Sequence, residues 1–340
     1  MDSDQIHEFL GNSWPIYGHD WAVEHLRKSI AHGRLRHAYL LLGAESVGKN
    51  RLAHALAMAL NCTHDDEAAR PCLTCRSCKL TMSGNHPDML YSSLDENTGA
   101  LKIEAIRNVT HHLAMKPYEA RYRVAIFQDF DHAQPRAQDA LLKSLEEPPP
   151  YALLILLAHS AEPILPTITS RSQILHLRPV AAETIHRVLV EQYGADDEHA
   201  ELLARLSGGR IGWAIQALDT PELLDERETA LNLLEDIIGM NRVGRFDVAQ
   251  ELSRDKLALT PLFELWQTYW RDLLLLTENS AVPIANTDRA EQLQSLANRV
   301  TIDEALAALR ATSDTLNYLK RPVNTRLALE VMFLDFPGLN

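Results

Sequence analysis

The sequence predicts an α/β domain built on a parallel sheet around a phosphate loop, then a small helical segment, then an all-α C-terminal domain. Three observations predict it. Strand-like and helix-like segments alternate through the first part of the chain. GAESVGKN, Gly43–Asn50, stands between a strand-like run and a helix-like run. After Pro179 the strand-like runs vanish and leucine becomes very common.

Ala38–Leu42 (AYLLL) is a short apolar run ending at Gly43, which predicts a buried strand. Lys49–Asn61 is rich in Ala and Leu at helical spacing. Lys102–Met115 carries Ile103, Ile106, Val109 and Leu113 as one helical stripe. Tyr122–Phe127 predicts a second strand. Pro135–Glu147 predicts a helix with proline in its first turn and the Pro148–Pro150 run as its stop. Ala152–Ala158 and Gln173–Leu177 complete the predicted strands, and the alternation implies helices on both faces. Ala181–Gln192, His199–Leu206 and Arg210–Leu218 predict three short helices, punctuated by Gly208–Gly209. From about Pro221 the pattern is helical almost throughout, with a loop at Glu278–Thr287. The expected domains are therefore 1–178, 179–220 and 221–340.

With 46% hydrophobic and 23% charged residues, the chain reads as an ordinary soluble globular protein. No apolar stretch approaches the ~18 residues of a membrane span. MDSDQIHEFL lacks a basic start followed by an apolar core, so no secretory signal is expected and the cytoplasm is the expected compartment. The formal charge of −13 disfavours gripping DNA alone, because that attraction is mainly electrostatic. Membership of an assembly fits better.

Gly43–Asn50 fits G-x-x-x-x-G-K but ends in Asn50 where Ser or Thr would hold magnesium. In such a loop Gly43 and Gly48 let the backbone N–H groups cradle phosphates, and Lys49 reaches the terminal phosphates. The alternative is a glycine-rich turn that binds nothing, so binding of ATP or ADP stays open. Nucleotide hydrolysis also needs an acidic pair after a neighbouring strand. Here Val124–Phe127 is followed by Gln128-Asp129, and neutral Gln128 removes the charge that would hold magnesium. Together these changes argue against hydrolysis.

All four cysteines lie between positions 62 and 78. In a reducing cytoplasm such clustering points to metal rather than disulfides. Cys72, Cys75 and Cys78 form C-x₂-C-x₂-C, and Cys62, ending the phosphate-loop helix, supplies a fourth thiolate. Four thiolates make a closed structural zinc site; an iron–sulfur cluster or free buried thiols are the alternatives. His111 and His112 diverge by about 100° on a helix and share no ligand face. His86 is expected to buttress the cysteine turn without being a ligand.

The residues then resemble a known family. IYGHDWAVEHLRKSIAHGRLRHAYLLLGAESVGKN, CLTCRSC, GNHPD (Gly84–Asp88), ALLKSLEEPP (Ala140–Pro149) and LPTITSRSQ (Leu165–Gln173) are similar to the delta-prime-type subunits of the bacterial DNA polymerase III clamp loader. The resemblance runs from about Ile16 to Leu218. It implies a AAA+ P-loop domain with a zinc module at 62–78, a helical lid and a helical collar. It implies zinc at the four cysteines. It also implies that Trp213 stands where motor subunits carry a phosphate-contacting Arg. Ser170-Arg171-Ser172 matches the family's Ser-Arg-Cys motif, which makes Arg171 an arginine finger acting on a neighbour's nucleotide.

The implied function is a non-hydrolysing subunit of the DNA polymerase III holoenzyme. Its partners would be delta and gamma/tau subunits and, through the complex, the beta sliding clamp and primed DNA. An active gamma/tau-like ATPase and a zinc-containing nucleic-acid binder outside replication are the competing expectations.

Overall fold

The computed structural model describes residues 14–95, 99–319 and 323–338. The N-terminal stretch read above for a secretory signal lies outside them. The chain forms two compact units. One holds the described residues up to Gly194 together with Gly209–Trp213. The other holds Ala195–Gly208 and the described residues from Ala214 onward.

The first unit is built in the order α1 (Asp20–Ala31), β1 (Ala38–Leu42), α2 (Lys49–Asn61), α3 (Arg76–Met82), β2 (Met89–Tyr91) and α4 (Ile103–Leu113). Then follow β3 (Arg123–Phe127), α5 (Pro135–Glu146), β4 (Ala152–Ala158), α6 (Pro166–Thr169), β5 (Gln173–His176) and α7 (Ala182–Tyr193). The five strands are parallel and ordered β2-β3-β4-β1-β5. A parallel sheet is covered on both faces, so its central strands are apolar along their length. All seven residues of β4 are buried.

Side chains alternate across the sheet. Tyr39, Leu41, Val124, Ile126, Leu153 and Ile155 share one core with α1 and α2. Leu40, Leu42, Ala125, Phe127, Leu154 and Leu156 share the other with α4 and α5. This topology brings the C-terminal ends of β3, β4 and β1 together along one edge. The phosphate loop leaves β1 at that edge.

Gly43 is required there. It sits at φ +154°, and an added Cβ would fall 2.6 Å from the Leu177 carbonyl oxygen. Pro135 opens α5, and the prolines after Glu147 end it, as the sequence predicts. The sequence reading did not include β2, a three-residue strand, nor α1 and α3.

The second unit is helical: α8 (Asp197–Leu206), most of α9 (Ile211–Asp219), then α10 (Glu222–Gly239), α11 (Arg242–Leu252), α12 (Lys256–Thr277), α13 (Ala290–Ala297), α14 (Ile302–Leu319) and α15 (Thr325–Leu334). Phe263, Trp266, Trp270, Phe333 and Phe336 form an aromatic core. Two buried charges are fully occupied. Arg245 donates to the carbonyls of Ile238, Met240, Phe333, Phe336 and Pro337, which closes the C-terminal ends of α10 and α15. Asp272 accepts the N–H groups of Ala285 and Asn286 and so pins the predicted loop after α12. No helix among the described residues is long and apolar enough to cross a membrane.

Candidate functional site

The phosphate loop is present as a strand–loop–helix turn, with Gly48 in the left-handed region at the start of α2. Lys49 is buried, and its ammonium turns back into its own loop. Nζ donates to the carbonyls of Gly43 at 2.5 Å and Ala44 at 2.8 Å. Asn50 is exposed. His19 Nε2–H donates to the Val47 carbonyl at 2.9 Å, and its ring packs against the loop at Gly48.

The first turn of α9 meets the same loop. The Gly212 N–H donates to the Ser46 carbonyl at 2.8 Å, and a Cβ on Gly212 would lie 2.9 Å from that oxygen. Trp213 is half-buried in this turn, with the Arg210 guanidinium over its ring at 5.7 Å. Gln128 follows β3 and is held by its backbone N–H to Ser92 Oγ. Asp129 adopts φ +45°.

Arg171 lies just after α6, well away in sequence from the loop and partly exposed. Its Nη2 pairs with Glu146 at 2.9 Å and its Nη1 donates to the Thr167 carbonyl at 3.0 Å. The sequence reading did not connect Arg171 to Glu146. The helix preceding Arg171 is the four-residue Pro166–Thr169.

The four cysteines converge. Their sulfurs lie within 4.8 Å of one another, with Cys75 and Cys62 4.0 Å apart. A tetrahedral thiolate site with bonds of about 2.3 Å sets its sulfurs about 3.8 Å apart, so this spacing fits a metal ion. Backbone N–H groups already point at the sulfurs: Cys72 and His64 to Cys62, Cys75 to Cys72, and Cys78 to Cys75.

These contacts divide the thiols. Burial pushes the Cys75 thiol up, but the N–H groups of Cys78 and Thr63 outweigh it and bring it to about 6. Cys72 is likewise lowered by Thr74 and Cys75 against its burial. Burial pushes Cys62 and Cys78 up. A cation at the centre would replace the remaining protons. Around the sulfurs lies only a small cluster of Met58 and Leu73, so the segment has little core of its own.

His86 buttresses this segment as expected. Its Nδ1 accepts the Asp88 N–H, which leaves Nε2–H to donate to Ser77 Oγ between two of the cysteines. Burial keeps it below the usual histidine value. Asp88 is fully buried and accepts the N–H groups of Tyr118, Glu119 and Ala120. The GNHPD motif is thus a bracket between α3 and the turn before β3.

A further group escaped the sequence reading. Asp131, His132 and His159 offer ligand atoms within 4.8 Å of one another at the ends of β3 and β4. A titratable residue just past each of two strands was the available signal.

The family profile described as "DNA polymerase III, delta subunit" matches residues 18–181. The chain is 31% identical to the DNA polymerase III subunit delta' of Bacillus subtilis, over 62% of each chain. It is 29% identical to the subunit tau/gamma of Haemophilus influenzae, over 66% of this chain, and spans about a third of that relative's length. Among solved structures, a gamma subunit-related protein of Thermotoga maritima is 18% identical, covers 92% of this chain and 97% of its own, and has a TM-score of 0.37. The RuvB Holliday junction branch migration motor of the same organism is 15% identical over 62% of this chain and 64% of its own, with a TM-score of 0.41. Over the part of the chain that these sequence matches cover, it is similar to subunits of DNA polymerase III, delta' and tau/gamma alike.

Proposed function

We propose that this chain is the non-hydrolysing, delta-prime-type subunit of its clamp loader, a stator that supplies Arg171 to a neighbouring motor. The carrying observation is Lys49: the group that would reach a terminal phosphate is taken up by two carbonyls of its own loop. Asn50 stands where a hydroxyl would hold magnesium, and Gln128 where a carboxylate would. Trp213 occupies the turn where motor subunits carry a phosphate-contacting Arg. No group on this list can position a metal-bound terminal phosphate for attack.

In this reading 1–178 is a AAA+ P-loop domain, 179–220 is a lid, and the helices from 221 form the collar that joins the ring. Delta and gamma/tau subunits are the neighbours, with the beta sliding clamp and primed DNA engaged through the complex in the cytoplasm. The cysteine cluster holds structural zinc, which the four-thiol set and its spacing favour. Arg171 acts on a phosphate in the adjacent subunit. A guanidinium there spreads its charge over several donors as negative charge develops on the transferred group. To do so it must let go of Glu146, an exposed pair that holds it weakly.

A second reading, an active ATPase, is favoured by the similar identity to tau and gamma subunits. Magnesium-dependent hydrolysis by the isolated chain separates the two. The proposal expects none above background in a preparation free of motor subunits. Turnover abolished by Lys49→Ala would overturn it in favour of the ATPase.

A further inference from the structure

The Asp131 carboxylate is buried, and one of its oxygens, Oδ1, has no hydrogen-bond partner. Such an atom is costly unless something meets it. The other oxygen, Oδ2, takes the backbone N–H of His159 at 3.3 Å and faces His159 Nδ1 at 3.2 Å. The His132 ring stacks on the His159 ring, with centroids 6.3 Å apart and planes 19° from parallel. Two imidazoles and a carboxylate with one unmet oxygen therefore lie together, their ligand atoms within 4.8 Å of one another.

The 3.2 Å separation of Oδ2 and Nδ1 is long for a charge-assisted N–H···O bond, which is about 2.7–2.9 Å. It is near the edge of a tetrahedron built on bonds of about 2.1 Å, roughly 3.4 Å. Imidazole and carboxylate donors together select borderline divalent transition metals over magnesium or calcium, which prefer all-oxygen sites. The position is also suited to a ligand. His159 follows β4 directly, Asp131 lies just beyond β3, and the phosphate loop leaves the adjoining strand, with the Gly43 N–H on the Ala158 carbonyl. Parallel sheets bind ligands beyond the carboxyl ends of their strands.

We infer that Asp131, His132 and His159 form a second metal site, for a divalent transition ion, distinct from the cysteine cluster and independent of whether the chain hydrolyses ATP. Asp131 would be the charged anchor.

The test is titration of the full chain, its thiolate site already loaded with zinc, with cobalt(II). Metal content and the visible spectrum are read together. The expected result is one further cobalt per chain, with ligand-field bands and no sulfur-to-cobalt charge transfer. His132→Ala should weaken that binding at least about tenfold while leaving the thiolate-bound zinc in place. Asp131→Asn should abolish it, and circular dichroism checks that this variant is folded. Cobalt entering only with thiolate charge-transfer bands would overturn the site, because the cysteines would then be the only ligands. No further cobalt bound, or cobalt affinity unchanged in His132→Ala, would overturn it equally.

Discussion

Replacing Asp88 by alanine should destabilise the first unit more than any other single change in the GNHPD motif. The carboxylate accepts N–H groups from Tyr118 at 2.7 Å, Glu119 at 2.9 Å and Ala120 at 3.0 Å, and it lies 3.4 Å from Arg123 Nε. It is fully buried, and Arg123 nearly so. Hydrogen bonds to a charged group contribute roughly 1.5–3 kcal/mol each and do not add simply. Removing one partner of a buried ion pair costs about 3–5 kcal/mol. Arg123 keeps its Nη1 bonds to the carbonyls of His112, Met115 and Lys116, so its charge is not stranded. The expected loss is therefore about 4 kcal/mol, with Asp88→Asn between alanine and wild type.

For a unit of this size such a loss lowers Tm by roughly 8–16 °C, which calorimetry of the full chain resolves as an earlier first transition. The pH dependence supplies a second check. Burial tends to raise the Asp88 carboxyl, but the three N–H groups and then Arg123 outweigh it and hold it below its ordinary value. A carboxyl depressed by folding stabilises above its unfolded value of about 3.9 and loses that contribution as pH falls through the folded value. Wild type and Asp88→Ala should thus differ fully at neutral pH and converge in acid below about pH 4. A loss under about 1 kcal/mol, or a gap that stays constant into acid, would refute this account of the motif.

Cys75→Ser should release the metal from the cysteine cluster and loosen its segment, because no apolar core replaces the ion; elemental analysis should find about one zinc per wild-type chain and none retained in the variant. A zinc-free wild type, or one coloured by an iron–sulfur cluster, would contradict this. Glu146→Gln should leave the folding stability of the chain within about 1 kcal/mol of wild type, because the Arg171 pair is solvent-exposed. A larger loss by thermal unfolding would make Arg171 a structural residue.

Most of the sheet was legible because its central strands are short, uninterrupted apolar runs bounded by glycine, charge or proline. β2 was not, since Met89–Tyr91 spans three residues and offers no periodicity. α3 was hidden by the cysteine spacing, which reads as a tight knuckle, whereas Cys78 sits on a helix capped by the Cys75 side chain. The phosphate loop and cysteine ligands were legible because each set is contiguous or nearly so. The Asp131–His159 and Arg171–Glu146 pairs join residues 28 and 25 positions apart, brought together only by the parallel crossover and the end of α5. Pattern along the chain could not supply those meetings. Nor could it show that Lys49 is occupied by its own loop, a matter of side-chain direction rather than residue type.

The central claim is that this chain acts on a nucleotide bound by its neighbour, and Arg171→Ala tests it most directly. The clamp loader is reconstituted from delta, gamma/tau and this chain, assembly is verified by size exclusion, and DNA-stimulated ATPase and clamp loading are measured. The account predicts an assembled complex whose ATPase at the affected site falls by as much as ~10³, the scale of a lost arginine finger, with poor rescue by Arg171→Lys because an ammonium lacks the planar, multi-donor contact. Full assembly with unchanged ATPase and loading would contradict it and leave the chain a scaffold alone.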